Sequence, residues 1–473
     1  MNTPPDFRRR CFLVGVRTYA VVLLGLHLVA RALPEDRAWG IWPYSMLPLA
    51  VQIGGVVLAS ILLVPAVHRR LETGWRRLGA FGPGAACQRG WGQVGKGWRY
   101  ALLAGLAAIP FWFGRIVHTR WGDAYILTHA IPHPSARLTY TWQAPLDVFL
   151  HAKLWTLTHA WWGWDAMLLY HVVSVMAGVA FLFVLFHVAE GLGRTPLEER
   201  FLFGAIASLG MMQLFFGYIE NYTLIPLGIL AFLWLGVRFG QGRAPLWAVS
   251  LTLALTNAFH PSTLVLWPAA LSLLRSPRLV QEGRWRSSRT WGELLLPPLL
   301  VGAGVLALME SGGHGLEALL GADFPGGGDR RWLVPLSRAE TRWEHYTLFS
   351  PGHLLDIANE QLLIAPFTLA LLVLTYLFLR PSPGVQDPAE RFLGVAGLCY
   401  LGLTLVWNPD YGGRRDWDLF APAALPLTMW MAYALPRRLR DPEVLRQTAW
   451  AVIPTSLIHL AGWVYSNTLP WSW

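Results

Sequence analysis

Carboxylates recur where apolar stretches end. Asp123, Asp147, Glu220, Asp356, Glu360, Asp410, Asp416 and Asp418 all stand at or near the edge of strongly apolar sequence. A charge so close to hydrocarbon is costly, so such a position marks a site, an ion pair or a water-filled cavity. Asp123 is the sharpest case, because it closely follows an apolar run ending at Val117 and is flanked by Trp121 and Tyr125. A carboxyl that is partly desolvated yet reachable from water has the properties of a general base, and it is also the first acid to which a metal would be assigned, if any. For Asp147, Asp356 and Glu360 the competing reading is a solvated loop acid. Glu220 lies in FFGYIENYTL, a turn with almost no loop, and either caps the helix that follows or, with Tyr222, orients an acceptor or a metal. His260 precedes Pro261 and is either a core histidine bonded to a carbonyl or a site ligand.

The stretch 408–422, NPDYGGRRDWDLFAP, places Arg414 and Arg415 on a glycine turn between Asp410 and the pair Asp416 and Asp418. Adjacent guanidinium groups can fork onto phosphate oxygens. The alternative is a local ion-pair network with the three aspartates. Fourteen histidines raise a metal or haem reading, but neither HExxH nor CxxC is present, and His171 and His187 stand at opposite ends of one apolar block. Cys11 and Cys399 fall in or beside apolar runs and Cys87 in a basic loop, a distribution without disulfide or zinc spacing.

The elements that must hold these groups are membrane helices. Apolar residues are 54% of the 473 and charged residues 14%, and the apolar ones come in blocks close to the length needed to cross a hydrocarbon core roughly 30 Å thick. The reading is all-α: a polytopic bundle of about thirteen spans, near 11–30, 45–66, 100–117, 165–188, 201–217, 222–238, 245–258, 262–275, 292–309, 361–379, 392–408, 421–435 and 447–465. With the N-terminus inside, the inner segments hold 25 of the 38 Lys and Arg and the outer ones 12. That asymmetry orients the chain with a cytoplasmic N-terminus and the acid-bearing loops outward. The net charge of +10 is therefore accounted for by orientation rather than by a nucleic-acid partner. Arg8-Arg9-Arg10 followed by apolar residues mimics a signal peptide, but the apolar part is long and the expectation is a retained first helix.

Three segments follow: 1–99, a transmembrane pair and a basic cytoplasmic loop; 100–360, a core with outer loops 118–164 and 310–360; and 361–473, the last spans with outer loop 408–422. The basic loop 67–99, with Trp75, Trp91 and Trp98, reads as a surface segment on anionic lipid. Amphipathic interfacial helices are expected in 118–164, and the glycine-rich part of 310–360 reads as a mobile lid. Residues 245–275 are too long for one helix, and His260-Pro261 should break them into a hairpin. Irregular backbone at that depth is tolerated only where it lines a cavity, so a polar pocket is expected at the hairpin apex.

An apolar span, an acid at its outer end, a long loop with two short helices, and an Ala144-Pro145-Leu146 element together resemble the C-type membrane glycosyltransferases that use polyprenyl-phosphate sugars, such as protein O-mannosyltransferases and lipid A aminoarabinose transferases. Asp123-Ala124-Tyr125 is similar to their first-loop acid and following aromatic, Ala144-Pro145-Leu146 to their Pro-Pro-Leu turn, and 310–360 to their mobile loop. This chain departs in having a single acid where many members have a pair, and in two extra spans ahead of the core. The resemblance implies an inverting hexosyl or pentosyl transfer on the outer face of a bacterial inner or plasma membrane, from a polyprenyl-phosphate-linked sugar to a lipid, glycan or protein acceptor, with a divalent metal as a possible cofactor. In that scheme Asp123 is catalytic, Arg414 and Arg415 bind the donor phosphate, and Glu220, Tyr222, His260, Asp147, Asp416 and Asp418 support the site or the acceptor. The competing functions are a lipid or sugar transporter or flippase, which usually carries repeated halves with paired broken helices, and a polysaccharide ligase or phosphotransferase.

Overall fold

The structure, a computed structural model, describes residues 5–80, 94–324, 330–380 and 387–471. Cys87, Trp91 and the centre of the basic loop, with residues 325–329 of the glycine-rich outer loop, lie outside the described residues. All regular secondary structure among the described residues is helical, and the only β feature is an isolated bridge between Leu333 and Trp407.

Five helices are long and apolar enough to cross a membrane: Asp6–Ala32, Ala166–Leu192, Ser288–Ser311, Pro388–Val406 and Trp417–Leu439. The number rises to seven if each of two sharply bent pairs is one span, Leu49–Leu62 with Pro65–Gly74 and Pro351–Ile364 with Thr368–Phe378. Ala166–Leu192 shows why such a segment forms. It is an unbroken apolar run without proline, and the Asp165 carboxylate caps its first turn by accepting from Leu168 N at 2.7 Å. At 27 residues it is about 40 Å long.

The expectation of thirteen spans is higher than the number of long helices because several apolar blocks are broken. The block 201–217 is one: the helix Pro196–Ala207 stops, and a 3-10 turn occupies Gly210–Phe215. The backbone at Gly210 lies so close to the Leu363 carbonyl that no side chain fits there. Hydropathy registers the block and is blind to this contact. In 245–275 the break falls where proline chemistry puts it. Leu246–Phe259 ends at an extended His260 (φ −152°), a 3-10 turn Pro261–Leu266 follows, and Trp267–Ser272 returns. Asn257 fastens the apex, donating to Thr263 Oγ1 at 2.7 Å and accepting from the Trp267 indole at 2.8 Å.

The loop 118–164 contains two helices, Ala124–Ala130 and Pro145–Trp162. The second buries Asp147, Val148, His151, Trp155 and Thr158 along one face and exposes Leu157, Trp161 and Trp162. One large buried cluster runs from Phe12 to Trp463, so the segments 1–99, 100–360 and 361–473 share a core.

The segments assigned by charge to opposite sides of a membrane gather at opposite ends of the bundle. At one end Arg437 donates to the Leu192 carbonyl at 3.1 Å, and Arg69 pairs with Glu443 at 3.0 Å. At the other, Gly122 N donates to the Arg415 carbonyl at 2.9 Å, the Trp39 indole to Asp356 at 2.9 Å, and Arg414 pairs with Glu35.

Candidate functional site

Three segments, 120–123, 218–222 and 408–419, meet beside the 245–275 hairpin and, with Gln143, Arg331, Trp332 and Leu403, border a cavity of about 630 Å³. Gly122 is the pivot. Its φ of +47° is a left-handed conformation that glycine adopts without penalty, and it turns the chain so that Asp123 N donates to Glu220 Oε1. A Cβ at this position would clash with Glu220 and lie 2.9 Å from Asp418 Oδ2.

Each carboxyl then has its own partners. Glu220 Oε2 accepts from Asn221 N at 2.9 Å, Asp418 Oδ2 from the Tyr218 hydroxyl at 3.1 Å, and Asp416 Oδ2 from Tyr411 N at 2.7 Å. Asp123 is held more loosely, by the Tyr411 hydroxyl at 3.3 Å and the Gln143 amide at 3.4 Å, and it faces the cavity. Burial comes first in raising the Glu220 carboxyl well above its ordinary value, and the Asp418 and Asp123 charges add to it. Burial likewise raises Asp416, aided by Asp418. Asp123 is raised by burial, with the Tyr411 and Gln143 hydrogen bonds opposing.

His260 faces the same space. Its Nδ1 accepts from Ser262 N at 3.2 Å and lies 2.8 Å from Ser262 Oγ, and its Nε2 is buried without a partner. The Tyr222 ring lies 4.6 Å from it, centroid to centroid. Leu264, Val265, Leu403 and Trp407 form an apolar wall. Asn408 and Arg331 also line the cavity, and the Arg331 guanidinium is bonded to Glu344 at 3.1 Å and Glu340 at 2.9 Å.

Asp123, Glu220, Tyr222, His260, Asp410, Asp416 and Asp418 are thus brought together on one cavity; Asp356 and Glu360 line a separate pocket, and Arg414, Arg415 and Asp147 line neither. Arg414 turns away, pairs with Glu35 and lies 5.9 Å from the Trp42 ring. Arg415 does not line the cavity; its guanidinium lies over Tyr411 at 5.6 Å, one side chain removed from Asp123. Asp147 is buried behind the site, 3.2 Å from His151, its carboxyl raised by burial and eased down by that histidine. The arginine that lines the cavity, Arg331, gave no signal in the sequence, because it stands among other charges in a long irregular loop. Tyr411 and Asn408 could have been found, since both lie in the same NPDYGG stretch as the two arginines.

Among the described residues no three His, Cys, Asp or Glu side chains are grouped so as to hold a metal ion. The acids next to Asp123 are aimed at backbone amides and at Tyr218 instead, a set that does not fit a divalent cation. Comparison of the chain with protein-family models, curated proteins and solved structures yields no match.

The raised carboxyls make stability depend on pH in a defined direction. Glu220 and Asp416 hold protons in the native protein that the unfolded chain releases near the ordinary values of 4.5 and 3.8. Their contribution is complete below those values and is lost as pH rises through the raised native values. Thermal unfolding in detergent should therefore move to lower temperature as pH is stepped upward from 5, and the trend should be weaker in Asp416→Asn. A flat profile in the wild type would mean that these carboxyls ionise normally.

Proposed function

We propose that this chain is a membrane glycosyltransferase that moves a sugar from a polyprenyl-phosphate donor to an acceptor hydroxyl at the outer membrane face. The observation that carries the reading is the mixed lining of the 630 Å³ cavity, which holds acids, an amide, tyrosines and a histidine together with the apolar Leu264, Val265, Leu403 and Trp407. Paired acceptors and donors beside aromatic faces suit a polyhydroxylated ring, and the apolar wall suits a prenyl chain. In a single displacement the acceptor hydroxyl gives its proton to Asp123 while its oxygen attacks the anomeric carbon. The bond from that carbon to the phosphate oxygen breaks, the anomeric configuration inverts, and polyprenyl phosphate departs with the bonding electrons. The growing phosphate charge needs donors, and among those lining the cavity Arg331 and His260 Nε2 are assigned to it. Arg415, through Tyr411, then acts on Asp123 rather than on phosphate.

The same reading places the protein in a bacterial plasma membrane with its N-terminus cytoplasmic. The broken and short helices complete a larger number of crossings, and the exposed Trp161 and Trp162 of the Pro145–Trp162 helix rest at the interface. In a background with all three cysteines replaced, Ala339→Cys should be labelled by an impermeant reagent from outside and Gln281→Cys only from inside. Labelling of both from one side would overturn this orientation.

Incubation of the purified protein with labelled lipid-linked sugars and with membrane extracts as acceptor tests the activity. Transfer of the single sugar with release of polyprenyl phosphate is expected. Transfer of a whole glycan would favour a ligase, and movement across vesicles without bond cleavage a transporter.

A further inference from the structure

The end of the bundle away from Asp123 holds a second cavity, of about 500 Å³, between three helices. One is Pro65–Ala80, which turns by 88° from Leu49–Leu62 just before it. If Leu49–Leu62 crosses the membrane, the segment after the bend runs along its surface. The other two are Pro196–Ala207 and the first half of Pro442–Asn467. All three segments carry arginine, and all three fall on the side to which the charge asymmetry assigns the cytoplasm.

The floor is apolar, built from Phe201, Ile453, Pro454 and the ring of Trp450. His68 stacks on Trp450 at 5.7 Å, and the Trp450 indole donates to Glu72 at 3.1 Å, so this wall is fixed in place. At the rim Arg446 is neutralised by Glu443 at 2.7 Å and Glu72 at 3.5 Å, and Arg69 by Glu443. Arg200 is different. Its Nε donates to the Pro196 carbonyl at 3.0 Å, and no carboxylate pairs with it among the described residues.

We infer that this cavity binds one anionic phospholipid of the cytoplasmic leaflet, its phosphate on the Arg200 guanidinium and its acyl chains against Ile453, Pro454 and Trp450. Charge complementarity and position argue for it. An unbalanced guanidinium at the rim of an apolar pocket, beside a helix lying at the membrane surface, meets lipid before any other ligand, and anionic headgroups are attracted to such a rim. The floor adds a term that a bare basic patch lacks, burial of methylene groups. The site is independent of the transfer chemistry and stands whether or not Asp123 is catalytic.

Native mass spectrometry of the delipidated full-length protein, offered phosphatidylglycerol and phosphatidylcholine at equal concentration, tests the inference. Phosphatidylglycerol adducts should exceed phosphatidylcholine adducts about tenfold, and Arg200→Glu should bring them to equality while Arg200→Lys keeps the preference. Ala449→Trp, which fills the pocket and leaves every charge in place, should remove the adduct, with the milder Ala449→Leu weakening it. Thermal unfolding of each variant checks that it is folded. Equal binding of the two lipids by the wild type, or a preference that survives Arg200→Glu, overturns the headgroup assignment. Phosphatidylglycerol adducts that persist in folded Ala449→Trp overturn the pocket and place the lipid on the open surface.

Discussion

Asp123→Asn is expected to fold normally, bind the lipid donor as the wild type does, and lose on the order of 10²-fold or more in transfer rate, the usual scale for a positioned base. Asparagine keeps the size of the side chain and can still accept from Tyr411 and donate or accept at Gln143, so the cavity wall is preserved. It cannot take a proton. The wild-type carboxyl is suited to that task in two respects: its hydrogen bonds are long, so it can shift toward an acceptor, and burial raises its basicity. Donor affinity by fluorescence or calorimetry, measured beside initial rates across pH, separates the roles. The wild-type rate should rise with pH as Asp123 ionises, and the residual rate of the variant should lose that limb. Near-normal transfer by Asp123→Asn would remove the catalytic assignment and leave Asp123 as a structural acid at the cavity rim.

The second large effect is expected at a residue with no side chain. Gly122→Ala puts a methyl group where Glu220 Oε1 sits and within 2.9 Å of Asp418 Oδ2, and it does so at a φ of +47°. The strained backbone costs about 1–3 kcal/mol, and relief of the clash must move either Glu220 or the Asp123 amide that donates to it. A displacement near 1 Å at a reacting group can lower rate by about 10², so transfer should fall by that order while donor binding falls less. Gly122→Asn distinguishes the two causes. Asparagine tolerates a positive φ better than alanine does, so equal damage from both substitutions identifies the clash as decisive. Recovery in Asn alone would mean that strain matters and that the carboxyls have room to shift. Full activity in Gly122→Ala would show that 120–123 and Glu220 are not coupled in the way the hydrogen bond suggests.

These two positions differ in how visible they were. Asp123 stood out because an acid beside Trp121 and Tyr125 at the end of an apolar run is chemically expensive, and cost is legible in one dimension. Glu220, in a turn without a loop, and His260, before a proline, stood out for similar local reasons. Gly122 did not, since what it must avoid belongs to residues 98 and 296 positions further along the chain. Arg331 was hidden in the same way.

Arg414 illustrates the limit most clearly. Its sequence neighbours on the glycine turn suggested a phosphate fork, yet the side chain's direction is set by Glu35, 379 positions away, and by Trp42. An ion pair near a membrane surface is strengthened by partial desolvation, and nothing in the local sequence announces which partner will arrive.

By itself, then, the sequence determined that the chain is helical and apolar enough for a membrane, that 245–275 breaks at His260-Pro261, and that acids cluster at one set of helix ends, because propensity, proline chemistry and hydropathy act locally. Only the tertiary structure decided which helices run unbroken, as at Gly210 against the Leu363 carbonyl, and which acids meet: Asp123 with Tyr411, 288 positions apart, and Tyr218 with Asp418, 200 apart. Those contacts are chosen by the packing of whole helices, where the shape of one surface against another, rather than the composition of either, selects the arrangement.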